Sequence, residues 1–164
     1  MGPISVSIVV SAPREQVFDY LLDIANHAEF TDHYLVDWHL TRADSVGLGA
    51  GARFRVKAPL NRFSWADATF AEIEPPRRIV EVGRTGKNNR IRTVGEYELV
   101  PSGGGGTRVS FTFQSAPATF SDRLLESLGA RSWTKRKNRR ALQRLRSILE
   151  LDEGRGQRVS VAGG

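Results

Sequence analysis

The chain has 164 residues, 40% of them hydrophobic and 26% charged, with a net charge of +6. That balance supports one hydrophobic core of ordinary size and excludes a disordered chain. Cysteine is absent, which excludes disulfides, thiolate metal sites and cysteine nucleophiles and fits a reducing compartment.

The N-terminus lacks the basic stretch and apolar run of a secretory signal, and no apolar run is long enough to span a bilayer, so the sequence reads as cytoplasmic. Ile4, Val6, Ile8 and Val10 alternate with smaller or polar residues, the pattern of a half-buried strand. Ser11 and Pro13 predict a helix start, and Val17, Phe18, Leu21 and Leu22 share one helical face. A second short helix or turn is expected over Asn26–Asp32, then a strand over Tyr34–Thr41.

After the glycine loop Gly47–Gly51, Phe54 and Val56 alternate with Arg53, Arg55 and Lys57. Further strands are expected over Phe63–Ile73, Ile79–Val82, Ile91–Leu99 and Val109–Phe113, separated by Pro75-Pro76, Gly86–Asn89 and Pro101–Gly106. From Thr119 to Glu150 the period becomes helical, with Thr119 and Asp122 spaced as a capping box. Gly154–Gly164 has no period and reads as a mobile tail. The expectation is one α+β domain over residues 1–150 followed by a flexible tail over 151–164. Its antiparallel strands, about six to seven, each have an apolar face, and the last helix is the only element long enough to cover them.

The layout, together with several phrases, resembles the START-like or SRPBCC superfamily of birch-pollen-allergen-type proteins, polyketide cyclases/dehydrases and lipid-transfer proteins. The phrases are Val9-Val-Ser-Ala-Pro-Arg-Glu-Gln-Val-Phe18, the Gly47–Gly51 loop before Phe54, Ala71-Glu-Ile-Glu-Pro-Pro-Arg-Arg-Ile79, Glu98-Leu-Val-Pro with Gly106-Thr-Arg-Val109, and Leu142, Leu145 and Leu149-Glu150. The resemblance implies a helix-grip fold, a curved antiparallel sheet wrapped on the C-terminal helix. It also implies a cavity between sheet and helix for a hydrophobic ligand. Members that cyclise aromatic polyketides place an arginine with serine and tryptophan on an inner strand. Here Trp65 could stand for the tryptophan, but Asp67 and Thr69 occupy the places of serine and arginine, which argues against that reaction.

Candidate chemistry is sparse. Gly47-x-Gly49-x-Gly51 is followed by a strand and not a helix, so it is no phosphate loop. His27, His33 and His39 match no compact metal-ligand spacing, and no metal or cofactor is expected. No nucleophile elbow occurs, and no catalytic residue is assigned. Asp67 faces either the cavity as a base or water as an ordinary charge. Residues 1–119 sum to zero charge, and the whole +6 lies within 120–150. Arg131, Lys135, Arg136, Lys137, Arg139, Arg140, Arg144 and Arg146 form a solvated face or a contact for RNA, a ribosome or an anionic membrane.

Phe54, Val56, Tyr97, Phe111 and Phe113 lie on the apolar sides of their strands and are expected to line the cavity, with Trp65 a further candidate. Projected as one helix, Thr119–Glu150 carries Phe120, Leu124, Leu142, Leu145 and Leu149 on one stripe, but Ser127, Arg131, Thr134 and Asn138 fill its middle. Three arrangements explain this. The helix changes phase at Gly129 and turns Trp133 inward and Arg131 outward, or the polar stretch overhangs the sheet, or Arg131, Thr134 and Asn138 hold the polar end of an amphipathic ligand with Leu142 beside them. The sequence therefore reads as a binding or carrier protein for a lipid- or polyketide-like molecule, with a cyclase/dehydrase-type enzyme as the alternative.

Overall fold

The computed structural model describes residues 1–58, 64–116 and 129–159. Seven antiparallel strands form one sheet: β1 (Ile4–Val10), β2 (Leu35–Leu40), β3 (Gly51–Val56), β4 (Trp65–Glu74), β5 (Arg78–Thr85), β6 (Ile91–Ser102) and β7 (Gly106–Ala116). Their order across the sheet is β1-β7-β6-β5-β4-β3-β2, so neighbours in sequence pair through hairpins except where β1 joins β7. Between β1 and β2 lie α1 (Arg14–Leu22) and α2 (His27–Thr31), and α3 (Ala130–Leu151) packs across the curled sheet. This is the α+β arrangement that the alternation of the strands implies, in the helix-grip form that the resemblance implies. The predicted capping box at Thr119 and Asp122, the stripe positions Phe120, Leu124 and Ser127, and the start of the predicted strand at Phe63 lie outside the described residues.

Local chemistry explains most boundaries. Pro13, at φ −59°, immediately precedes α1, where its missing N–H costs nothing. Ser11 does not cap that helix; its backbone N–H donates to the Glu150 carboxylate at 2.6 Å and ties β1 to the end of α3. Gly129 takes φ +85°, a conformation that side chains disfavour, and α3 begins at the next residue.

The core fills one half of the space between sheet and helix. Val10, Val17, Leu21, Phe70, Leu99 and Val109 are fully buried there, and Leu142, Leu145 and Ile148 bring in the C-terminal half of α3. The segment after α3 makes specific contacts where a mobile tail is expected. Arg155 pairs with the buried Glu29 at 2.7 Å, Arg158 pairs with Asp23 at 2.5 Å, and the Gly156 N–H donates to the Glu29 carbonyl at 2.8 Å.

Candidate functional site

The other half of that space is a cavity of about 270 Å³. Its roof is the N-terminal half of α3, through Ala130, Trp133, Thr134 and Asn138. Its floor is the inner face of β3 to β7, and the inward positions there decide why space remains. On β4 they are Ala66 and Ala68, on β5 Gly83, on β6 Gly95. Where neighbouring core positions carry Phe or Leu, these carry one carbon or none. Phe54, Val56, Phe111 and Phe113 form larger apolar walls, and Tyr34 closes one side with its ring edge-on to Trp133 at 6.0 Å.

Six of the residues expected from the sequence come together on this cavity: Phe54, Val56, Phe111, Phe113, Thr134 and Asn138. Four do not. Tyr97 points inward but lies behind Phe111, with ring centroids 4.5 Å apart, and Leu142 belongs to the packed core. Trp65 is on the outer face, 37% exposed, with the Arg53 guanidinium 5.1 Å from its ring centre. Asp67 shares that strand phase and accepts the Arg84 backbone N–H at 2.8 Å, although its position also borders the cavity.

Arg131, the fourth, requires the plainest correction. It is exposed and donates to the carbonyls of Gly2 at 3.3 Å and Pro3 at 3.0 Å. Eleven residues before Leu142, Arg131 lies within about 20° of it around the helix, but at the first turn of α3 that face overhangs the edge of the sheet beside Gly2 and Pro3, where the guanidinium meets water and their carbonyls. Burying an unpaired guanidinium would have been costly, and its place beyond the sheet edge avoids it. Arg131 therefore does not hold a ligand's polar end in this geometry.

Among the polar groups on the cavity side, Tyr34, Asn138 and Glu81 stand out. The Tyr34 hydroxyl donates to Asn138 Oδ1 at 3.0 Å, and this fixes the amide so that Nδ2 is left buried without a partner among the described residues. The third is Glu81, on the inner face of β5 opposite Gly95. Among the described residues its carboxyl has neither a hydrogen bond nor an ion pair. Burial raises its pKa from the ordinary 4.5 to about 7. Tyr34 and Tyr97 are pushed up by burial first and by the Glu81 charge second, so both stay neutral.

Sequence reasoning misses Glu81 because Val80 and Val82 flank it and draw attention to the other face. Val82 is in fact 42% exposed. The available signal is the phase Ile79, Glu81, Gly83, Thr85, which pairs with Tyr97, Gly95, Thr93 and Ile91 on β6.

The three histidines do not converge. His27 Nε2 lies 2.8 Å from the Leu21 carbonyl, His33 Nε2 lies 3.3 Å from the Lys137 carbonyl, and the His39 ring lies against Trp65. Burial holds both His27 and His33 neutral, with pKa values lowered to about 4.

The sequence profile described as "Polyketide cyclase / dehydrase and lipid transport" matches residues 1–150. The chain belongs to this family. Solved structures with the family's curled sheet and long last helix superpose on it at low identity. The KanY protein gives a TM-score of 0.72 at 16% identity, covering 92% of this chain and 99% of that one. A protein from Thermus thermophilus gives 0.69 at 14% identity, covering 93% and 99%. DynU16, a protein in the dynemicin biosynthetic locus, gives 0.61 at 17% identity, covering 93% of this chain and 48% of that one. At such identities the likeness is one of fold alone. Among curated proteins no relative matches the chain. Among the described residues, no helix is long and apolar enough to cross a membrane.

Proposed function

We propose that the chain binds or carries a hydrophobic or amphipathic small molecule in the cavity between its sheet and α3, in the cytoplasm. The observation that carries this reading is the unfilled space itself. The cavity is open to solvent, so its apolar walls at Val56, Phe113 and Trp133 stay partly exposed to water, at about 25 cal/mol per Å² of surface that a bound molecule would cover. Small residues at Ala66, Ala68, Gly83 and Gly95 keep that space open, and aromatic walls give it an apolar character suited to a ligand.

The test is a titration with N-phenyl-1-naphthylamine, an uncharged apolar fluorophore. Binding should enhance its emission and quench Trp133 by energy transfer. Ala68→Phe should fill the floor and abolish both signals while the urea unfolding midpoint holds or rises. Probe emission that is the same in Ala68→Phe would refute the cavity as the site.

A second reading, a cyclase- or dehydrase-type enzyme in the same cavity, has one observation in its favour. Glu81 holds a carboxyl near neutrality, the condition for general acid–base work at physiological pH. Native mass spectrometry of protein from its own organism separates the two: a carrier returns its ligand at unchanged mass, and an enzyme does not.

A further inference from the structure

Resting on the binding reading above, we infer that Glu81 selects the ligand's polar end: the molecule presents a hydrogen-bond donor, an amine or a hydroxyl, and free carboxylic acids are turned away. The geometry is built for a carboxyl at this point. Glu81 and Gly95 are direct partners in the β5–β6 register. A Cβ placed on Gly95 would stand 2.4 Å from Glu81 Oε1 and 2.7 Å from its Cγ. Glycine at 95 therefore gives the carboxyl room to lie along β6 at the cavity wall.

Among the described residues, nothing answers its charge. No Lys or Arg side chain of theirs borders the cavity. Met1 also lines it, with its ammonium engaged with the Ser115 carbonyl at 2.6 Å. Asp67, the other acidic residue at the wall, accepts the Arg84 N–H. Tyr34 faces Glu81 with a hydroxyl already donated to Asn138, and Tyr97 faces it as a neutral phenol. His27, edge-on to Tyr97 at 5.5 Å, is neutral. Burial alone keeps the Glu81 pKa near 7.

A shielded carboxylate without a donor is costly, and a ligand ammonium or hydroxyl relieves that cost through a charge-assisted hydrogen bond. A ligand carboxylate would add a like charge to the same apolar space. The molecule's net charge of +6 acts in the opposite sense, drawing anions to the surface, so a preference for amines would have a local origin.

The experiment compares four probes with one ring system: 1-methylnaphthalene, 1-naphthalenemethanol, 1-naphthylmethylamine and 1-naphthylacetate. Each is titrated by displacement of N-phenyl-1-naphthylamine at pH 8. The amine should bind roughly tenfold or more tighter than the acetate. Its advantage should shrink as the pH falls through 7 and Glu81 takes up a proton. Glu81→Gln should bring the amine-to-acetate ratio near one and leave 1-methylnaphthalene unchanged. Glu98→Gln, the same charge change on the exposed face of β6, should leave the ratio as in the wild type. Equal binding of amine and acetate by the wild type, or a ratio that survives Glu81→Gln, overturns the selection while the cavity reading stands. Failure of 1-methylnaphthalene and of the fluorophore to bind overturns both.

Discussion

Replacing Glu81 with Gln tests the site through folding alone, with no ligand needed. The folded carboxyl has a pKa near 7, above its ordinary 4.5, so the folded state holds a proton that the unfolded chain has already released. Glu81's contribution is therefore fully present below pH 4.5 and is lost as pH rises through 7. Each pKa unit is worth about 1.4 kcal/mol, so the distance from 4.5 to 7 corresponds to about 3 kcal/mol at most. The cavity admits solvent to part of the carboxyl, and screening brings the expectation to about 1–3 kcal/mol. Gln resembles the protonated acid and has no charge to bury. Glu81→Gln should match the wild type near pH 4.5 and exceed it by about 1–3 kcal/mol at pH 8, roughly 2–10 °C in Tm for a chain of this size. The assay is urea unfolding of both proteins from pH 4.5 to 8, read as their difference. Subtraction is needed because His27 and His33 act in the other direction over part of this range. A difference that is flat with pH, or a Gln variant weaker than the wild type at pH 8, would refute the account of Glu81.

His27 is charged in the unfolded chain below pH 6.5 but resists protonation when folded down to about 4. Its contribution is present above 6.5 and lost as pH falls toward 4, and His27→Gln should flatten that slope in urea unfolding. Leu145→Ala, at a fully buried position in the packed half of α3, should cost about 2–5 kcal/mol by denaturant unfolding and leave fluorophore affinity within twofold. Arg131→Leu should leave naphthalene-probe affinity unchanged, since its guanidinium meets the Gly2 and Pro3 carbonyls outside the cavity. Triple reversal of Arg136, Arg139 and Arg140 to Glu should shift elution from heparin to lower salt without lowering the unfolding midpoint, because all three are exposed on α3. Arg144 is unsuited to that test, as it pairs with Asp32 and donates to the carbonyls of Glu29 and Gly154.

The fold was legible because alternation along each strand states which side is buried, and because hairpin signals keep neighbours in order. Phe54, Phe111 and Phe113 followed from that rule directly. The rule misled where the inner face is small. On β4 it is Ala66, Ala68 and Phe70 that point in, while the bulky Trp65 goes outward and covers Arg53. Large residues mark a packed core well and mark a cavity floor poorly, since a floor needs side chains that leave volume behind. Glu81 escaped for a related reason: its strand is apolar on both faces over Ile79–Val82, and only pairing with Gly95 shows which face holds the carboxyl. The place of Arg131 escaped because periodicity gives its face of α3 correctly, the same as that of Leu142, but does not tell where the sheet beneath that face ends, at Gly2 and Pro3.

The division of α3 has a practical consequence for altering the protein. Thr134, at the roof, and Leu145, in the anchor, stand about 16 Å apart along the helix axis, given the 1.5 Å rise per residue. Free-energy effects of substitutions at that separation add almost independently when they share no partner. A library varied over residues 130–134 can therefore be screened for new ligands on an unaltered anchor, with any stability cost adding to that of the anchor and leaving its packing undisturbed.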